Sequence, residues 1–240
     1  MQKRISDTKL ENFSQMNNPT RKLWHENYTT RGKLFFIMNK SQNITKIFEK
    51  RRSVYTLSPH STLKDAQLVA LLYDVVKYTP SAFDSRSTRL LLLTGEAHQR
   101  LWTIVKETLQ AIVAPAIFIR TEQKINTSFA AGYGTILFFE DESVVRDMQA
   151  HFPLYRDNFP TWAEHTSAMH QYAAWVALAE VGMGASLQHY NPLIDARVRE
   201  AWQLPHSWRL IAQMPFGVAA APAPEKHFDG AEEQLKVFTE

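Results

Sequence analysis

TWAEHTSAMHQYAAWVALAEVGMGASLQHYNPLID, residues 161–195, runs from the longest helical pattern of the chain into a buried strand. Met169, Tyr172, Ala173, Val176, Ala177 and Glu180 recur at helical spacing and predict a helix over residues 161–183. The small residues on that stripe let another helix approach closely. Gly182 and Gly184 end the pattern, since glycine enters the left-handed turn that stops a helix at low steric cost. A strand is expected over residues 185–189 and a second helix over 192–202, with Pro192 in its first turn. The polar residues Gln188, His189, Tyr190 and Asn191 at the strand's end then face whatever occupies the crevice beside it.

The alternation continues outward on both sides. Towards the N-terminus, residues 133–140 (YGTILFFE) and 89–94 read as buried strands. Between them, residues 95–112 form a helical pattern with Leu101, Trp102, Val105 and Leu109 inward. Residues 63–78 carry Leu68, Leu71, Leu72, Val75 and Val76 at helical spacing, and Thr62 with Asp65 resembles a capping box. Residues 42–51 suggest a short basic helix. A helix is expected over residues 141–151, then the loop PLYRDNFP, residues 153–160. A fourth strand follows at 208–214. Past Pro222 the tail is rich in Pro and Ala, although Leu235–Phe238 could dock as an extended arm. Strands alternating with helices imply a sheet covered on both faces.

At 240 residues the chain suits one domain with an appendage. It has no cysteine, which excludes a disulfide scaffold, an iron–sulfur cluster and a thiol nucleophile. The net charge of +3 is uneven: residues 1–37 hold seven Lys/Arg against three Asp/Glu, or +4, which leaves −1 for residues 38–240. The basic pI therefore belongs to the N-terminal stretch and argues poorly for a nucleic-acid surface on the body. Residues 1–37 are expected to be a disordered extension, with residues 38–240 as the folded domain and Met38 as a second initiation point. A transit peptide is the weaker reading, because Asp7, Glu11 and Glu26 interrupt the basic segment. No apolar run approaches the length of a membrane span.

Several chemistries fail on spacing. Gly182-x-Gly184 lacks the third glycine of a dinucleotide fingerprint, with Leu at 187, and it follows a helix instead of a strand. His165 and His170 lie five apart, on different helix faces, so no metal site is expected. Four groups survive. Arg51-Arg52-Ser53 offers two guanidinium groups and a hydroxyl, which suit a phosphate monoester. The polar loop of residues 79–87 joins a buried helix to a buried strand. Residues 182–192 and Glu225-Lys226-His227-Phe228 complete the set. Taken alone, each reads more readily as ordinary structure: a solvated basic face, a connection with a Pro stop, a helix cap, a surface lysine.

Their order carries the recognition. FEKRRSVYTL, TPSAFDSRSTRLLLLTGEAHQRLW, KINTSFAAGYGTILFFED, WVALAEVGMGASLQHYNPLID, and WRLIAQMPFG with EKHF together resemble the nitroreductase family. The branch is that of the yeast fatty-acid-repression-type enzymes and their bacterial relatives. The resemblance runs from about Ile44 to Phe238. It implies an α+β fold: a three-layer α/β/α sandwich with a mixed, mainly antiparallel sheet, in an intertwined homodimer with FMN at the interface. On that basis Arg51, Arg52 and Ser53 would hold the phosphate and ribityl end, with Lys226 returning to the same end. Ser81 would lie in a second cofactor-binding loop, with Asp84 and Arg86 beside the pyrimidine edge. Leu187, Gln188 and His189 would run along the ring and offer a backbone N–H near N5. The helix over 161–183 would be the central dimer helix, and the C-terminal arm would embrace the partner.

One departure concerns the PSSFNSQ-like loop of the family, where this sequence has Asp84 and Arg86 in place of Asn and Gln. An ionised Asp accepts from the flavin N3–H but donates to nothing. Arg86 could favour the reduced flavin, or the two side chains could pair with each other and leave the flavin weakly held. The implied activity is ping-pong hydride transfer from NADH or NADPH to nitroaromatics, quinones or similar flat acceptors. The cofactor carries the chemistry and no catalytic residue is assigned. The expected setting is cytoplasmic, without nucleic acid or membrane. The alternative is a flavin-binding redox sensor in lipid or oxidative-stress signalling.

Overall fold

β1 (Thr88–Thr94) and β2 (Gly134–Asp141) pair antiparallel with Leu91 opposite Leu137, and β2 pairs antiparallel with β4 (Trp208–Gly217). The short β3 (Gly184–Ala185) closes the order β1-β2-β4-β3. The computed structural model describes residues 44–227 and 230–239. The expected extension over 1–37 lies outside the described residues. Residues 44–50 are helical, and the fold below is that of residues 49–240, one compact unit.

Side-chain alternation along the strands makes two cores. Leu137 and Phe139 face one side with Leu93 and Leu210, under α2 (Gly95–Gln110), α3 (Pro115–Lys124) and α6 (Asp195–Ala201). Ile136 and Phe138 face the other with Met214 and Phe216, under α1 (Asp65–Tyr78) and α5 (Phe159–Glu180). A bulge between Phe138 and Phe139 leaves Ile211 unopposed on β4. Ile211 and Ala212 therefore both face the α1/α5 core, whereas Leu210 faces the other. This is the expected α/β/α sandwich. A parallel bridge between Ser53 and Ala185 makes the sheet mixed.

Several boundaries differ from the pattern. α1 is capped at Lys64, whose N–H donates to Gln67 Oε1 at 3.0 Å, and the Thr62 hydroxyl instead donates to the Val181 carbonyl at 2.6 Å. α5 begins at Phe159 because Pro160 fits a first helical turn, which lacks an intrahelical partner for its N–H groups. The loop before it holds a 3₁₀ turn at Pro153–Tyr155 and follows α4 (Glu142–His151). Residues 113–132, for which no element is expected, form α3, with Pro115 in its first turn, and a π turn at Ile125–Phe129. α6 is shorter than the 192–202 expected. α7 (Ala231–Gln234) is a single turn in the tail.

The strand expected over 185–189 is the most informative difference. In an antiparallel pair the N–H and C=O of one residue point to the same neighbour. The Pro215 carbonyl accepts from Ser186 N–H at 3.3 Å, so the N–H that Pro215 lacks falls on the β3 side. The ladder breaks there and resumes only at Gln188, which bridges Gln213.

Candidate functional site

Past the helical segment of residues 44–50 the chain runs extended along the outer edge of β3. Val54 N–H donates to the Ala185 carbonyl at 2.9 Å, which lays Arg51-Arg52-Ser53 beside the strand. Gly184 makes this approach feasible: a Cβ there would stand 2.7 Å from Val54 Cβ. Lys50 Nζ donates to the Glu180 carbonyl at 2.9 Å, placing a cation on the negative end of the α5 dipole. The Arg51 guanidinium lies over the Trp175 ring, 4.4 Å from its centroid, and its buried Nε has no partner among the described residues. Trp175 Nε1–H donates to the Arg52 carbonyl at 3.2 Å. Arg52 Nη2 in turn donates to the Pro224 carbonyl at 2.7 Å, which draws in the C-terminal segment carrying Lys226.

The polar segment after β3 borders the same edge. Gln188 N–H donates to the Gln213 carbonyl at 2.7 Å, and Gln213 N–H returns to the Gln188 carbonyl at 2.9 Å. The Ala185 carbonyl points the other way, to Val54. By alternation the main chain of Leu187 and His189 also turns away from β4, towards the edge along which Ser53 runs. Among the described residues neither of their N–H groups makes a hydrogen bond. Two of the four sequence groups therefore meet at the C-terminal end of α5, and the segment leading to the third reaches the same place through the Pro224 carbonyl.

The fourth does not. Ser81 Oγ accepts from Arg86 N–H at 3.0 Å, and Ala82–Asp84 form one 3₁₀ turn between them. Phe83, Asp84 and Arg86 have φ of 54°, 51° and 50°, the left-handed region that residues with a Cβ rarely enter. Phe83 holds the turn down: its ring stacks on Trp162 at 5.7 Å and meets Phe152, Tyr155 and Phe159. Of the two alternatives for Asp84 and Arg86, the structure has the self-paired one. Arg86 Nε and Nη2 each donate to an Asp84 oxygen at 2.9 Å on the open surface. The hydrogen bond from Arg86 holds the Asp84 carboxyl below its ordinary range.

Trp162 marks the N-terminal part of α5 and Trp175 the C-terminal part. They lie thirteen residue steps apart along the helix, about 20 Å at 1.5 Å per residue. One chain thus presents two candidate half-sites at opposite ends of one helix. Trp175 and Gln213 belong to the first half-site but carry no local sequence signal, because each acts on residues far along the chain. Among the described residues no cluster of metal-ligating side chains occurs, and no helix is long and apolar enough to cross a membrane.

The sequence model of the nitroreductase family matches residues 48–218. The chain belongs to the nitroreductase family. Among its relatives is HBN1 of Saccharomyces cerevisiae, 37% identical over 187 residues, which are 76% of this chain and 91% of HBN1. The nitroreductase FRM2 of the same yeast is 30% identical over 80% of this chain and 95% of its own. In structure the chain is similar to the nitroreductase CinD of Lactococcus lactis: the TM-score is 0.74 at 42% identity, over 82% of this chain and 100% of CinD. CinD has been solved with chloramphenicol and with 4-nitrophenol. A nitroreductase of Desulfitobacterium hafniense with bound FMN shares the fold at 12% identity and a TM-score of 0.62, over 81% of this chain and 97% of that one. As a nitroreductase-family protein the chain is an oxidoreductase, and the resemblance carried by the five sequence strings holds.

Proposed function

We propose that the chain is an FMN-dependent NAD(P)H oxidoreductase acting as a homodimer on nitroaromatics, quinones or similar flat, electron-poor acceptors. The observation that carries this reading is the meeting of Arg51–Ser53, the open main chain of Leu187 and His189, and the Lys226 segment at one end of α5.

The donor set fits a flavin phosphate. Arg51 keeps a buried Nε without a partner among the described residues, which an anionic oxygen would satisfy. Arg52 and Ser53 add charge and a hydroxyl, and Lys226 would add a third cation to the same end. Leu187 and His189 would present main-chain N–H groups along the ring. A flavin held there would supply hydride transfer between NADH or NADPH and the acceptor. The protein's part would be to bind, orient and exclude water, so the reading asks for no nucleophile–base pair.

A second copy would complete the site. The Ser81–Arg86 loop stands about 20 Å along α5 from Trp175, so a neighbouring chain packed along α5 would be the one to bring this loop to the ring. Met169 and Tyr172 on α5, Tyr73 and Val76 on α1, and Leu235, Val237 and Phe238 in the tail all expose apolar surface that such a partner would cover. Asp84 and Arg86 would then reach the pyrimidine edge as a neutral pair, in the cytoplasmic setting a reducing enzyme suits.

The test is direct. Purified protein should be yellow, bleach anaerobically with NADH or NADPH, and recover with 4-nitrophenol or a quinone. A yellow protein that no nicotinamide bleaches within seconds would overturn the enzymatic reading and favour redox sensing.

A further inference from the structure

Gln213 occupies a central strand, is fully buried, and carries an amide where its neighbours Ala212 and Met214 are apolar. A buried amide is costly unless both its ends are satisfied. Here they are. Oε1 accepts from the Tyr190 N–H at 2.7 Å, and Nε2 donates to Asn191 Oδ1 at 3.3 Å. The main chain of the same residue exchanges two hydrogen bonds with Gln188. One residue thus makes four hydrogen bonds to the segment 188–191.

That concentration follows from the broken ladder. Pro215 cannot donate towards β3, so a single main-chain bond ties Ser186 to β4 and the next fastening point on that strand is Gln213. Beyond it Tyr190 anchors in the core, edge-on to Trp102 and Phe129. Leu187 and His189, whose main chain faces outward, alternate with the residues fixed inward. Their placement is set by what holds Gln188 on one side and Tyr190 on the other, and Gln213 holds both.

We infer that Gln213 is a positioning residue for the cofactor: it fixes the outward main chain of Leu187 and His189 against the flavin ring without touching the flavin. The inference rests on the flavin reading above. The phosphate end is fastened separately, through Val54 to Ala185 and through Trp175 to Arg52. Loss of the Gln213 amide therefore moves the ring end more than the phosphate end. Two side-chain contacts disappear in Gln213→Leu. In Gln213→Glu the acceptor for Tyr190 N–H remains and only the donor to Asn191 is lost.

Three measurements on the full-length protein test this: hydrogen exchange of residues 187–191 before FMN is added, the visible spectrum and dissociation constant of bound FMN, and the rate of bleaching by NADH. For Gln213→Leu the expected result is exchange at least ~10-fold faster at Gln188 and Tyr190, the amides that Gln213 fastens. The flavin band should shift and bleaching should slow at least ~10-fold, while the FMN dissociation constant stays within about 3-fold because the phosphate contacts remain. Gln213→Glu should move the same way by less, and it decides the matter if the Leu variant does not fold. Unchanged exchange and an unchanged spectrum in a folded variant overturn the positioning role alone. Failure of the unsubstituted protein to take up FMN overturns the flavin reading, and the positioning role with it.

Discussion

The two ends of α5 solve different problems with similar residues. At the C-terminal end, Arg51 and Arg52 are spread apart by the fold: one guanidinium lies on Trp175 and the other on the Pro224 carbonyl. Their positions are set by a strand edge and by a glycine that admits Val54. At the N-terminal end, the Arg86 guanidinium pairs with Asp84, two residues away, and both are exposed on a turn of left-handed residues. The first arrangement is built from contacts over more than a hundred residues of sequence and is already open to a ligand. The second is local and closed on itself. A half-site anchored in the sheet should be stiff and should dominate affinity, whereas a self-paired loop should tune what the first has bound.

The largest effect expected from that contrast is on affinity. Replacing Arg51 and Arg52 together with Ala should weaken FMN binding by about 100-fold or more, since each charge-assisted hydrogen bond contributes ~1.5–3 kcal/mol. Fluorescence titration measures this, and retained affinity would erase the distinction between the ends. Next comes complementation. A protomer lacking Arg51 and Arg52, mixed during refolding with one carrying Asp84→Ala and Arg86→Ala, should give about a quarter of sites both binding FMN and showing the normal midpoint potential, because half the random dimers contain one intact composite site. No recovery would mean that each chain builds its site alone.

Smaller effects sharpen the same contrast. Gly184→Ala drives a Cβ into Val54, and overpacking of this kind costs about 1–3 kcal/mol. Denaturant unfolding should show that loss together with weaker flavin binding, since the same strand edge supports both. Smallest of all, Arg86→Gln should lower the midpoint potential of bound flavin while leaving the melting temperature unmoved. A potential that stays the same or rises would remove Arg86 from redox tuning.

The fold was legible where local rules govern. Buried helices and strands announced themselves by periodicity, and boundaries moved mostly by one to three residues, as at Pro160. Residues 113–132 did not, because a π turn follows no helical repeat and the apolar residues Ile117 and Ile119 face outward. The strand over 185–189 was shortened by a proline 30 residues further on, at position 215, which no local pattern in 185–189 encodes. Of the site, Arg51–Ser53 and Leu187–His189 stood out by residue type, but their adjacency depends on the bridge between Ser53 and Ala185. Trp175 and Gln213 were silent, since an aromatic platform and a fastening amide look like any other residue of a helix or a strand.

α5 also acts as a ruler. Its 22 residues fix how far apart the two half-sites stand and the angle at which each faces outward. Removing one residue between Trp162 and Trp175 would shorten that distance by only about 1.5 Å but rotate one end against the other by about 100°. The loops around the helix can change length at small cost. The helix cannot, because under the proposed reading two chains completing each other's sites would have to agree on its phase.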